Sequence, residues 1–196
     1  MIKKVSLALA LLIAVVGLLV YFLNSLQSKV VPADFTSARQ KAALVSQDIV
    51  NLTVETGKKI ELANQAEAKG NSEQLLGLIN DAKNSNTSAY QKAFDLSSNI
   101  QKMAQSLDNV SPEQQQLGYE AVSLELSLVS EFISYTDNLN NFLNALTKSV
   151  LNKSSGNQKE VSDALEAVNQ KASLINIINR NFIDKMAAFD RASETS

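Results

Sequence analysis

Chemistry near neutral pH is usually carried by histidine, cysteine or a bound metal, and this chain is short of all three. Its 196 residues contain no His, no Cys and no Trp. Histidine is the side chain whose ordinary titration lies closest to pH 7 and is the commonest metal ligand; cysteine supplies thiolates for catalysis and for zinc. Haem, zinc, copper and iron–sulfur centres therefore lose their ordinary ligands, no disulfide can form, and no cofactor or metal is expected. The remaining nucleophiles and acids are Ser, Thr, Tyr, Lys, Asp and Glu. None stands in a glycine-rich phosphate loop, a Gly-x-Ser-x-Gly elbow or a Ca²⁺ loop. Glu73 and Asp81 lie near lysines at the spacing of ordinary helix-surface pairs. The expectation is a protein that is not an enzyme.

The polar residues with a claim to function are those that interrupt apolar seams. Thr56, Asn86, Tyr90, Tyr135 and Asn179 do so, and folding the chain at its turns sets them at one level, with Glu131 beside them. Two uses compete. A buried polar layer fixes register by hydrogen bonding within itself, as a buried Asn does in coiled coils. Alternatively the same groups line a small polar pocket between facing helices. A second set is apolar: Val122, Leu126, Val129 and Ile133, with Leu143 further on, form a stripe opposite the main seam of their helix. A helix with one buried face does not need it. Either that helix is more deeply buried than the others, or the stripe meets a partner protein or a second copy of the chain.

These residues need long helices to position them, and the spacing predicts four. Apolar residues recur at steps of three and four through Phe35–Ala66, Leu75–Val110, Leu117–Val150 and Val161–Phe189, the helical period. In the third segment the seam runs Leu117, Ala121, Leu124, Leu128, Phe132, Tyr135, with two successive steps of four at Leu128–Phe132, a stutter that locally unwinds a supercoil. Pro32, Gly70, Ser111-Pro112 and Lys153–Asn157 punctuate the segments, and Asn71…Gln74, Ser111…Gln114 and Asn157…Glu160 have the pattern of capping boxes. Helices over about 34–69, 72–110, 112–152 and 157–191 follow, with a short tail at 193–196. The fold class is all-α: an antiparallel up-down-up-down four-helix bundle over 33–192, with an extended coiled coil between chains as the competing arrangement.

Ahead of the bundle lies Val5–Leu23, nineteen residues in which Ser6 is the only non-aromatic polar side chain. As a helix that run is roughly 29 Å long, the thickness of a bilayer's hydrocarbon core. Residues 5–27 are expected to form a transmembrane anchor, with 1–4, which include Lys3 and Lys4, in the cytoplasm and the bulk of the chain outside the cell membrane. The competing reading is a cleaved secretory signal, with Val31-Pro32-Ala33 as the only passable site. The net charge is −2, and about −4 once Lys3 and Lys4 are set aside. No basic face suggests nucleic acid. Sequons at Asn51, Asn86, Asn109 and Asn152 follow from the abundance of Asn, Ser and Thr.

A single span followed by long helices resembles the periplasmic four-helix sensor domains of chemoreceptors. Asp48-Ile49-Val50-Asn51-Leu52 with Val54-Glu55-Thr56 resembles a motif in the first soluble helix of the LemA family, which also pairs an N-terminal span with long helices. Both likenesses are architectural. The span, the bundle and the apolar stripe lead to the expectation of a membrane-anchored bundle that binds a partner protein, self-associates or serves as an envelope scaffold; the alternative, resting on the polar layer, is a ligand-binding sensory module acting through another membrane protein.

Overall fold

The first two turns between helices have local causes. In the computed structural model, which describes residues 31–152 and 155–194, the first helix, α1 (Ala33–Ala68), ends at Gly70. Gly70 has φ +71°, the left-handed conformation that glycine adopts without a side-chain penalty. Its N–H donates to the Glu67 carbonyl and that of Asn71 to the Ala66 carbonyl, both at 3.0 Å, the pairing of a Schellman motif. Asn71 then caps α2 (Ser72–Gln105), its side chain accepting from the Gln74 N–H at 3.1 Å. A tight 3₁₀ turn, Ser106–Asn109, leads to Ser111, which forms a complete capping box with Gln114 at the start of α3 (Pro112–Leu151). Pro112 takes the first helical position, where its missing N–H costs nothing. The last helix, α4, runs Ser155–Glu194.

Neighbouring helices run antiparallel. Asp48 pairs with Lys92 and Lys59 with Ser85, each at 2.8 Å, so α2 returns along α1. Asn86 bonds Asn140 while Leu107 lies against Gly118, which reverses α3 against α2. Glu120–Lys185, Glu131–Lys171 and Lys148–Glu160 lace α3 to α4. Phe35 against Phe189, with ring centroids 4.9 Å apart, and Arg39 on Asp190 join α1 to α4 near one end. The result is a bundle-like all-α fold of four helices about 50–60 Å long. Its α1–α4 seam is the widest: no Cα pair across it comes within 8 Å among the described residues.

The core follows the seams. Every expected α2 seam residue from Leu75 to Leu107 is buried. Alanines at 38, 42, 63, 66, 82, 89 and 93 line the facing sides of α1 and α2 and allow close approach. Phe132, Tyr135, Phe142, Ile175, Phe182, Met186 and Phe189 fill the α3–α4 side, each large apolar side chain contributing roughly 1.5–3 kcal/mol on burial. Four buried hydroxyls are satisfied within their own helices: Thr53 donates to the Ile49 carbonyl, Thr56 to Leu52, Thr136 to Ile133 and Ser193 to Phe189.

Helix ends differ from expectation in three places. The α-helical part of α2 stops at Gln105 rather than 110, because the 3₁₀ turn draws Leu107 fully into the core. α4 begins at Ser155, so Asn157 lies within it and, instead of capping, donates to the Lys148 carbonyl at 3.4 Å. At the other end Ser193 is helical and buried, not part of a tail. No strand occurs among the described residues, and none of their helices is long and apolar enough to cross a membrane. The apolar run over 5–23, on which the anchor was expected, lies outside the described residues.

Candidate functional site: two buried polar layers

Asn86 holds the centre of the expected polar layer. It is buried, and its side-chain N–H₂ donates to the Thr136 carbonyl at 2.8 Å and to Asn140 Oδ1 at 3.0 Å. Those two bonds tie α2 to α3 at one register, and a one-turn slip would break both. Asn140 was not singled out from the sequence, though it stands seven residues before Thr147, which Lys83 bonds at 3.2 Å.

The rest of the expected layer disperses. Thr56 is buried at the level of Ser85 and Asn86, but its hydroxyl turns back on the Leu52 carbonyl at 2.8 Å. Tyr90 is half-buried, its ring edge-on to Phe94 at 5.2 Å. Tyr135 is buried and stacked on Phe132, and burial raises its phenol pKa further above the ordinary range. Glu131 is half-buried and paired with Lys171 at 2.6 Å. Asn179 is not in this layer. Asn138 bonds the Ala167 carbonyl and Glu131 meets Lys171, so Tyr135 faces the region near 169, not 179. The helix bounds agree with this register: α3 ends at Leu151 and α4 begins at Ser155, two residues earlier than expected.

Asn179 belongs to a second layer that the sequence pattern had not suggested. Glu120–Lys185 and Glu131–Lys171 bracket it, so Glu125 on α3 stands opposite Asn179 on α4. Asn179 is 1% exposed and Glu125 6%. Glu125 Oε2 and Asn179 Oδ1 are buried acceptors without a hydrogen-bond partner. Removal from water disfavours the carboxylate and pushes the Glu125 pKa up to about 7, against a smaller opposing pull from the Arg39 guanidinium. Arg39 is itself held by Asp190 through two bonds of 2.8 and 3.0 Å. Ser46 on α1 and Leu96 and Ile100 on α2 are buried in the same part of the bundle.

The apolar stripe of α3 divides in the same way. Val122, Val129 and Leu143 are core residues, while Ile133 is half-buried and Leu126 is 37% exposed. The stripe is therefore divided between the core and the flank: α3 is buried over a wider arc than one seam, which fits the deeper burial weighed for it, and its buried face takes in Val122, Val129 and Leu143 beside Ala121, Phe132, Tyr135, Leu139 and Phe142. Leu117, Leu124 and Leu128 are only half-buried. Leu126 and Ile133 continue the row of Asn140 and Thr147 at seven-residue steps, the row that faces α2. Tyr119, one step further, bonds Asp108 at 3.0 Å just beyond α2. Across from them on α2 stand Tyr90 and Phe94, the latter 53% exposed.

Neither layer opens into a described cleft. A cleft of about 370 Å³ between the start of α1 and the end of α2 is lined by Pro32, Asp34, Lys41, Lys102 and Asn109. Another of about 420 Å³ between α3 and α4 is lined by Asn141, Asn144, Lys148 and Glu160. Among the described residues no group of acidic side chains is placed to hold a metal ion. The class of protein that emerges is an all-α helical bundle with buried polar layers. No known protein family, curated protein or solved structure matches the chain.

Proposed function

We propose that the chain is a non-enzymatic, membrane-anchored bundle that works by contact with another protein or with a second copy of itself, as a scaffold or interaction module of the cell envelope. The apolar run 5–23 supplies the anchor in this reading, with 1–4 on the cytoplasmic side and the bundle outside. Within the bundle, the antiparallel up-down-up-down order brings the end of α4 back beside Pro32, so the α1–α2 and α3–α4 turns form the membrane-distal tip.

One observation carries the proposal: apolar side chains stand unfilled along the α2–α3 flank. Tyr90, Phe94, Tyr119, Leu126 and Ile133 lie in adjoining rows there, at partial or full exposure. Scattered exposed hydrophobics need no explanation, whereas adjoining aromatic and aliphatic rows are the usual makings of a protein contact. Leu126 and Ile133, from the stripe expected on sequence grounds, are part of it.

A photo-crosslinking residue at Phe94 or Leu126, in the full chain expressed in membranes, tests the reading. The expected result is a discrete crosslinked product at both positions and none at Lys58, which is exposed on a different helix. Mass spectrometry of that product then tells a second copy from another protein. Absence of any product from both flank positions would remove the basis for the proposal.

A second reading, a sensory module acting through a partner membrane protein, is favoured by the Glu125–Asn179 layer, because a buried carboxyl with an unbonded oxygen responds to its surroundings. The Asn86 layer does not favour it, since the Asn86 amide donates to protein groups already in place.

A further inference from the structure

We infer that Glu125 and Asn179 form a proton-binding site inside the bundle, in which the protonated Glu125 carboxyl donates to Asn179 Oδ1. The inference goes beyond the proposed role in protein contact and does not depend on it.

Two acceptors of this kind are an unusual pair to bury. Glu125 Oε2 and Asn179 Oδ1 are both shielded from water and both without a donor. An unsatisfied buried acceptor costs on the order of 1–3 kcal/mol, and two acceptors at one level of the bundle do not satisfy one another. One proton cures both faults: it converts the carboxylate into a donor and removes its charge from the core. A sodium or ammonium ion offers similar complementarity, but neither described cleft reaches this layer, and a proton needs no room.

The charged groups around the site do not neutralise a carboxylate there. From α1 the Arg39 guanidinium pulls the other way on Glu125, but less than burial does, and it is itself bonded to the Asp190 carboxylate of α4. Lys185, also on α4, is paired with Glu120 on α3 itself. The buried α2 side chains at this level, Leu96 and Ile100, are apolar. Burial therefore dominates and holds the proton on to about pH 7, against an ordinary value of 4.5.

The sign of the effect follows. Between those two values the folded chain binds a proton that the unfolded chain has released, so stability falls as pH rises. Below the lower value both states are protonated and nothing changes; above the upper one the full penalty of a buried carboxylate is present. Loosening should begin at the α1–α4 seam, the widest one and the one that Arg39 and Asp190 hold closed.

Thermal unfolding of the full chain in mild detergent, followed by circular dichroism from pH 5 to pH 8, tests this. The melting temperature is expected to fall by roughly 5–10 °C over that range and to stay flat in Glu125→Gln, whose amide donates to Asn179 at every pH. A second measurement needs no variant to fold: the infrared difference spectrum of the wild-type chain between pH 5 and pH 8 should show loss of a protonated carboxyl band. A wild-type melting temperature that is flat with pH, or an unchanged slope in Glu125→Gln, overturns the inference. So does stabilisation by sodium or ammonium chloride at fixed pH that Glu125→Gln abolishes, which would make the occupant a cation.

Discussion

Gly118→Ala is the sharpest test of how α2, the 3₁₀ turn and α3 lock together. A Cβ at this position would lie 2.5 and 2.9 Å from the two terminal carbons of Leu107 and 3.2 Å from the Phe189 ring. Leu107 and Phe189 are both fully buried, so neither can swing into open space. The methyl must displace a packed leucine, and overfilling a core of this kind typically costs about 1–3 kcal/mol. Working against that, alanine is favoured over glycine in a helix interior by about 1 kcal/mol. The net expectation is a destabilisation of up to about 2 kcal/mol.

Gly77→Ala removes the uncertainty in propensity. Gly77 also lies early in a long helix, and nothing stands within 4 Å of a Cβ placed there, so it should gain the propensity term undiminished. The difference between the two variants then isolates the packing cost of about 1–3 kcal/mol. In a chain of this size that is a melting-temperature gap of roughly 3–10 °C, readable by circular dichroism of the full chain in mild detergent. Leu107→Ala should be tolerated better in the Gly118→Ala background than alone, because the new methyl fills part of the space that the leucine leaves. Equal stabilisation by Gly118→Ala and Gly77→Ala would refute the described contact between the 3₁₀ turn and α3. That contact matters beyond stability, because Gly118 stands one heptad before Glu125 and helps to set the face of α3 that buries the carboxyl.

Two further outcomes test the other ties. Asn86→Leu removes both α2–α3 bonds and strands Asn140 Oδ1; the expected loss is about 1–3 kcal/mol by urea unfolding, and a loss that persists undiminished in an Asn140→Leu background would show the two side chains are not coupled. Arg39→Met leaves Asp190, whose side chain is 19% exposed, without its two-pronged partner. Hydrogen exchange should then quicken first in the ends of α1 and α4 near Phe35 and Phe189, with a stability loss of about 1–3 kcal/mol, and unchanged exchange there would show that the pair does not hold the wide seam closed.

How much of this was legible in the sequence depended on how strongly each helix marked its own buried face. α2 carried apolar or small residues at every seam position from Leu75 to Leu107 except Asn86, and all of them are buried. The caps at Asn71 and Ser111 were equally readable, because a side-chain oxygen three residues before a backbone N–H acts locally and needs no tertiary information. The expected site was harder. Thr56, Asn86 and Tyr135 were placed in the interior correctly, but which polar groups meet depends on the register of one helix against the next. A register of α4 against α3 that differs by a few residues from the expected one puts Asn179 in another layer.

The α3 error is the most instructive, because a signal for the true face was present. Leucine content favoured a seam through Leu124 and Leu128, which left Glu125 beside it and required a stutter before Phe132. Beside Ala121, Tyr135 and Phe142 of that seam, the buried face of α3 holds a second row, Gly118, Val122, Glu125, Val129, Phe132, Thr136, Leu139 and Leu143, whose steps alternate four and three without a break. A regular heptad row that admits one carboxylate describes α3 better than an irregular row of leucines. Ordinarily the cost of burying a charge argues against such an assignment. That objection loses its force when the group can take up a proton, since a neutral carboxyl needs only one acceptor, and α4 supplies Asn179 Oδ1 in the same layer. The interruption of the apolar row and the unpartnered asparagine are then two halves of one feature, and the unbroken heptad spacing through Glu125 is what should have pointed to it.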